Sequence, residues 1–236
     1  IFSCICLIAY FFQKQLQAGR FSAKASLYIL FAFILLFALR NFMAFLLVPA
    51  LLTWYLCEKY SNRKPAIVFA VYGISLLLFF VSPYISNINF PDYVVEKQSE
   101  FKQIPGNSII PVPALEPDAV SFLKFLPAAF DIAFLRPHIS EVNNLAYIPA
   151  IGEIFLLWLL MALFLFRRGN TTIISSQSAF IIFCVSFSFS FLLLAGYTIT
   201  FSGAIVRYRA VVLPLLFMPL AIWKFRKKYI VWGAAQ

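Results

Sequence analysis

Long apolar runs alternate with short polar breaks along this chain, and the run lengths define the elements. Ile1–Phe12 is apolar but short, and Gln13–Ser26 carries Lys14, Arg20 and Lys24 without an acid. Leu27–Cys57 exceeds one membrane span of roughly 20 residues and is interrupted by Arg40 and Asn41. This predicts two helices, Phe21–Leu39 and Phe42–Tyr60, meeting at a tight turn, with Lys24 and Lys59 snorkelling at its base. A single tilted helix would instead place Arg40 at mid-membrane, at a cost of about 2.5–3.5 kcal/mol or more. Further spans are expected at Ala66–Tyr84, Tyr147–Phe166, Ala179–Phe201 and Ile205–Trp223. The expected fold is an all-α, polytopic transmembrane helical bundle with six full spans. The opening apolar run lacks a basic flank, so it reads as the tail of a cut helix in a longer protein.

The segment Ile85–Ala146 breaks this rhythm. Prolines 91, 105, 111, 113 and 117 make its first half a turn-rich excursion. DAVSFLKFLPAAFDIAFLRP, Asp118–Pro137, then interleaves Phe122, Phe125, Phe130 and Phe134 with Lys124, Asp131 and Arg136. A helix broken near Pro127 and lying on the membrane surface is expected here. Three regions follow: 1–84 with the hairpin at 21–60, the loop 85–146, and 147–236 with three helices and a basic tail.

Composition sharpens the membrane reading. Charged residues make up 12% of the 236 positions and apolar ones 63%, against about 25% charged in soluble domains. The net charge of +10 lies in short clusters between apolar runs, which is a topology signal and not a nucleic-acid-binding face. The hairpin places Lys14/Arg20/Lys24, Lys59/Arg63/Lys64, Arg167/Arg168 and Lys224/Arg226/Lys227/Lys228 on one side, expected to be cytoplasmic together with the C-terminus. The long loop, with seven acids against four basic residues, then faces outward. Cys4, Cys6, Cys57 and Cys184 lie in apolar runs and read as buried thiols. No cofactor or metal site is expected, and the sequence carries no nucleotide-binding loop, GxSxG elbow or HExxH motif. The sequon at Asn170 falls on the cytoplasmic side, where it is unused.

That topology brings Arg40, Arg136, Arg207 and Arg209 to the outer face. On a continuous helix Arg207 and Arg209 diverge by about 200°, so one faces the bundle while the other faces headgroups. Both readings stay open: interface anchors, or forks for an anionic lipid group. Tyr208 between them suits an aromatic belt or sugar stacking. Glu153 lies in an apolar span, where a carboxylate needs a cavity or a partner. His138 is the one histidine, and Glu141 and Asp131 flank it as possible acid/base partners.

GAIVRYRAVVLPLL, Gly203–Leu216, resembles the segment opening a late helix in bacterial GT-C-type membrane glycosyltransferases, such as protein mannosyltransferases and lipid A aminoarabinose transferases. FLPAAFDIAFLRPHISEVNNLAYIPAIGEIFLL is similar to a stretch in membrane proteins of surface-polysaccharide clusters, where FRP precedes a glutamate-bearing helix. Phe134, Arg136, Pro137 and Glu153 match it, with Leu135 inserted. Ala38–Phe42, ALRNF, resembles an arginine-bearing turn in the same proteins. Together these segments cover roughly a third of the chain. The resemblance implies a bacterial inner-membrane protein that takes a sugar from a polyprenyl-phosphate carrier at the outer face. Arg207, Arg209, Arg136 and Arg40 would bind the lipid phosphate, while Glu153, Tyr208, His138 and Glu141 line the site. The family's catalytic carboxylates lie in a first outer loop that this sequence lacks, so no catalytic residue carries over. A polysaccharide polymerase or ligase, a transporter or flippase, and a structural membrane subunit are the alternatives.

Overall fold

The computed structural model describes residues 1–85, 89–104, 109–138, 148–166 and 171–233. Among these the chain is helical, with no strand and one isolated antiparallel bridge, Ile109 to Phe201. Three helical stretches among the described residues are long and apolar enough to cross a membrane: Asn41–Lys59, Ser61–Ile85 and Ser178–Thr198. Ala23–Leu39 and Ile148–Leu159 are apolar but shorter. At 17 residues, the former is about 26 Å long, just under a hydrocarbon core of about 30 Å. The chain forms two compact units, Ile1–Ser75 with Gln177–Phe187, and Leu76–Ser176 with Ser188–Gln236.

The first unit begins with α1 (Phe2–Ala18), α2 (Ala23–Leu39) and α3 (Asn41–Lys59). Gly19 ends α1 at φ 63°, a left-handed conformation that glycine takes without a Cβ penalty. Buried Gln15 fastens the turn that follows, donating to Ser22 O (3.2 Å) and Ser26 Oγ (3.0 Å). Arg40 is extended (φ −154°, ψ 86°) and separates α2 from α3. The two helices fold back on each other. Phe37 meets Phe45 at the turn (5.6 Å between ring centroids), and Phe21 meets Tyr55 at the open end (6.4 Å). A 3₁₀ turn, Ser61–Arg63, leads into α4 (Lys64–Ile85). The core of this unit centres on Trp54, stacked on Phe183 at 4.7 Å and edged by Phe12 at 5.3 Å.

The second unit holds α5 (Phe90–Gln103), α6 (Ala119–Phe134), α7 (Ile148–Phe166) and α9 (Ser202–Gly233). α8 (Thr171–Thr198) and α4 contribute to both units. Two features depart from the sequence expectation. The stretch read as a turn-rich excursion contains α5, 14 residues long. Its start signals are Asn89, which caps Asp92 N at 3.2 Å, Pro91 in the first turn and the acidic Asp92. α6 also runs unbroken through Pro127. Proline leaves the carbonyl four residues back without its helical donor, and that residue, Leu123, lies on the exposed face.

α6 is not merely laid on a surface. Ala129, Ile132 and Ala133 are fully buried, and Gly196 of α8 sits so close that a Cβ there would collide with the Ala129 carbonyl. Tyr197 donates its hydroxyl to Phe122 O (2.8 Å). Gln98 of α5 ties the same corner together, donating to Tyr197 O (3.0 Å) and accepting from Leu115 N (3.2 Å). Lys102 donates to Pro113 O at 2.9 Å, and burial depresses its pKa below the ordinary lysine value.

Candidate functional site

A helix that stops among apolar neighbours leaves its last carbonyls without partners, and burying them bare costs free energy. α6 ends this way inside the second unit, and the polar residues that finish it make the candidate site. Asp131 O accepts from Leu135 N (2.9 Å) and Arg136 N (3.1 Å). Arg209 reaches over from α9, its Nη2 donating to Ala133 O (2.9 Å) and Arg136 O (2.8 Å). Trp158 of α7 donates Nε1 to Phe134 O (3.1 Å). Two side chains from two other helices thus complete the end of α6, and the guanidinium also offsets the negative end of its dipole.

Charge continues outward from this clasp. Arg209 Nη1 lies 3.9 Å from Glu153 Oε1 of α7, beyond direct hydrogen-bond range. Both atoms are buried, and neither has a protein hydrogen-bond partner. Asp131 sits between two more groups: its Oδ2 accepts from Arg136 Nε at 2.9 Å, and its Oδ1 lies 2.9 Å from His138 Nε2. The Arg136 and His138 side chains are 19% and 39% exposed, whereas Arg209 is 1% exposed. The peptide between Arg136 and Pro137 is cis.

The structure therefore separates the two arginines of RYR. α9 is already helical from Ser202, so Arg207 and Arg209 point apart; Arg207 is exposed while Arg209 is buried. Tyr208 is half-buried and stacks on Phe191 at 6.1 Å and 17°. Arg136, His138, Glu153 and Arg209 come together at the end of α6. Arg40 belongs to the first unit, exposed at the α2–α3 turn. Glu141 lies outside the described residues. Sequence reasoning missed Trp158 and the use of Arg209 as a helix clasp. Spacing gives no sign of either, because both act on backbone carbonyls far away in the chain. Among the described residues no group of three or more His, Cys, Asp or Glu is placed to hold a metal ion.

The arrangement can hold an anion near partly exposed Arg136 and His138 while Arg209 and Trp158 keep the supporting turn rigid. Its setting is the membrane. With three spanning-length apolar helices and outward-facing apolar side chains along them, the chain is an integral membrane protein of the all-α helical-bundle class. No protein-family model, curated protein or solved structure matches it.

Proposed function

We propose that this protein acts as a membrane glycosyltransferase on polyprenyl-phosphate-linked sugars at the outer face of a bacterial inner membrane. The supporting observation is the charged cluster at the end of α6, Arg136–Asp131–His138 over Glu153–Arg209, in a chain that is only 12% charged. Ionisable residues grouped inside a membrane protein mark functional sites more often than chance placement would. In this reading Arg136 meets the carrier phosphate, while Arg207, turned to the opposite face of α9 from Arg209, faces lipid headgroups. Transfer breaks the bond from the sugar anomeric carbon to the phosphate oxygen and forms one to the acceptor oxygen. The acceptor proton leaves to a base, and Arg136 stabilises the charge left on polyprenyl phosphate. Arg209 positions the turn and does not touch the phosphate.

One observation favours a second reading. The Arg209 donors go to backbone carbonyls, as expected of a structural membrane subunit whose charges only hold helices together. Arg136→Lys decides between the two. Lysine keeps the charge but loses the planar fork matched to phosphate. Under the transferase reading this variant reaches normal membrane abundance but binds polyprenyl phosphate more weakly and reduces surface glycan. Normal binding and normal glycan in Arg136→Lys would remove the enzymatic reading.

A further inference from the structure

Within the first unit, the end opposite the Arg40 turn carries a different pattern. Antiparallel packing of α1, α2 and α3 brings the α1–α2 turn beside the α3–α4 turn. Gln15 is bonded to Ser22 and Ser26, Phe11 is stacked on Tyr28 at 4.9 Å, and Phe21 lies 6.4 Å from Tyr55. Six cationic residues from two separate stretches of sequence thus gather at one end: Lys14, Arg20, Lys24, Lys59, Arg63 and Lys64. All but Lys64 are exposed, and Glu58 is the one acid within these two turns. Aromatic rings interleave with them. Lys59 Nζ lies 5.9 Å from the Tyr55 ring centre and 5.5 Å from that of Tyr60. Lys64 bonds Ser178 at the same end, so α8 shares it.

Apolar surface continues from the cations along α2. Lys24, Leu27, Phe31 and Ile34 follow helical spacing on one face, and the last three are 65%, 68% and 58% exposed. From Lys24 to Ile34 is about 15 Å, which is half of a hydrocarbon core of about 30 Å. A cation at the top of an apolar stripe one leaflet deep matches a headgroup and its acyl chain.

We propose that this end binds anionic phospholipid, with Arg20, Lys24 and Arg63 holding the headgroup phosphate and the Leu27–Ile34 face of α2 taking an acyl chain. A soluble anion would use the cations but not the stripe. A zwitterionic lipid would use the stripe but add its own positive charge beside the arginines. The site is independent of the cluster at the end of α6 and does not rest on the transferase reading.

The test is thermal unfolding of the detergent-solubilised chain with added phosphatidylglycerol, with phosphatidylcholine of the same acyl chains, or with inorganic phosphate. Phosphatidylglycerol is expected to raise Tm by roughly 5 °C near saturation, with little change from the other two. Combined Arg20→Gln, Lys24→Gln and Arg63→Gln should abolish the rise, whereas Lys124→Gln on α6 and the paired Arg20→Lys and Arg63→Lys should keep it. High salt should remove the rise from the unaltered protein, repeating the loss with no substitution at all. An equal rise from phosphatidylcholine or from inorganic phosphate overturns the proposal. So does a rise that survives the three glutamine substitutions or high salt.

Discussion

The ends of α2 and α6 both involve arginine, and they solve the same problem in opposite ways. At Arg40 the chain leaves the helix and at once begins another. Arg40 N closes the last turn on Leu36 O at 2.8 Å, and Arg40 O accepts from Met43 N at 3.1 Å. The residue is exposed, so solvent or headgroups can serve the remaining carbonyls. At the end of α6 the carbonyls turn inward instead, and buried Arg209 and half-buried Trp158 supply the donors from other helices. A charged side chain in an apolar sequence is therefore not one kind of signal. Its weight depends on whether its helix end meets water or protein.

Arg209→Met tests this contrast most severely. It removes two hydrogen bonds to carbonyls and takes away the cation 3.9 Å from Glu153. Removing one partner of a buried pair costs about 3–5 kcal/mol, and unfolding in detergent should report a loss of that order. Adding Glu153→Leu should recover part of it, because the stranded carboxylate goes too. No recovery would mean that the carbonyl clasp, and not the ion pair, carries the effect. Retained stability in Arg209→Met alone would erase the distinction between the two helix ends.

Gly196→Ala comes next. Its Cβ would collide with the backbone of Ala129, which cannot swing away as a flexible side chain does. Separating α8 from α6 should cost about 1–3 kcal/mol and loosen the turn that Arg209 clasps. A smaller loss is expected for Trp158→Phe, which keeps most of the ring but gives up the bond to Phe134 O. One unsatisfied carbonyl costs about 1–3 kcal/mol, at the lower end here because Trp158 is only half-buried.

How much of this was legible beforehand follows the same physics. The all-α class was readable because apolar runs of span length leave few other solutions in a membrane. A polar pair inside the longest run marked residues 40 and 41 as unlike their neighbours, and the structure has a helix boundary there. α5 was hidden by prolines nearby, although Asn89, Pro91 and Asp92 form an ordinary helix start. Pro127 misled in the other direction, since a proline on an exposed face interrupts hydrogen bonding without ending the helix. The divergence of Arg207 from Arg209 followed from helical spacing alone. The clasp did not, because hydrogen bonds between side chains and distant carbonyls leave no periodic trace.

Arg40→Lys should have the smallest effect, and its smallness is what the comparison requires. Lysine keeps the positive charge and can snorkel from the same exposed turn. The backbone bonds that close α2 and open α3 do not involve the side chain. Arg40 caps both helices through its backbone and makes no side-chain capping bond to α3, and exposed substitutions that remove no such bond usually change stability by less than about 0.5 kcal/mol. Arg40→Lys should therefore unfold within that margin of the unaltered protein, while Arg209→Lys at the other helix end should lose several times more, since lysine is a poor geometric substitute where one guanidinium serves two carbonyls at once. Equal losses from the two lysine variants would show that exposure does not set the role of these arginines, and the α2–α3 turn would then have to be treated as a second clasp.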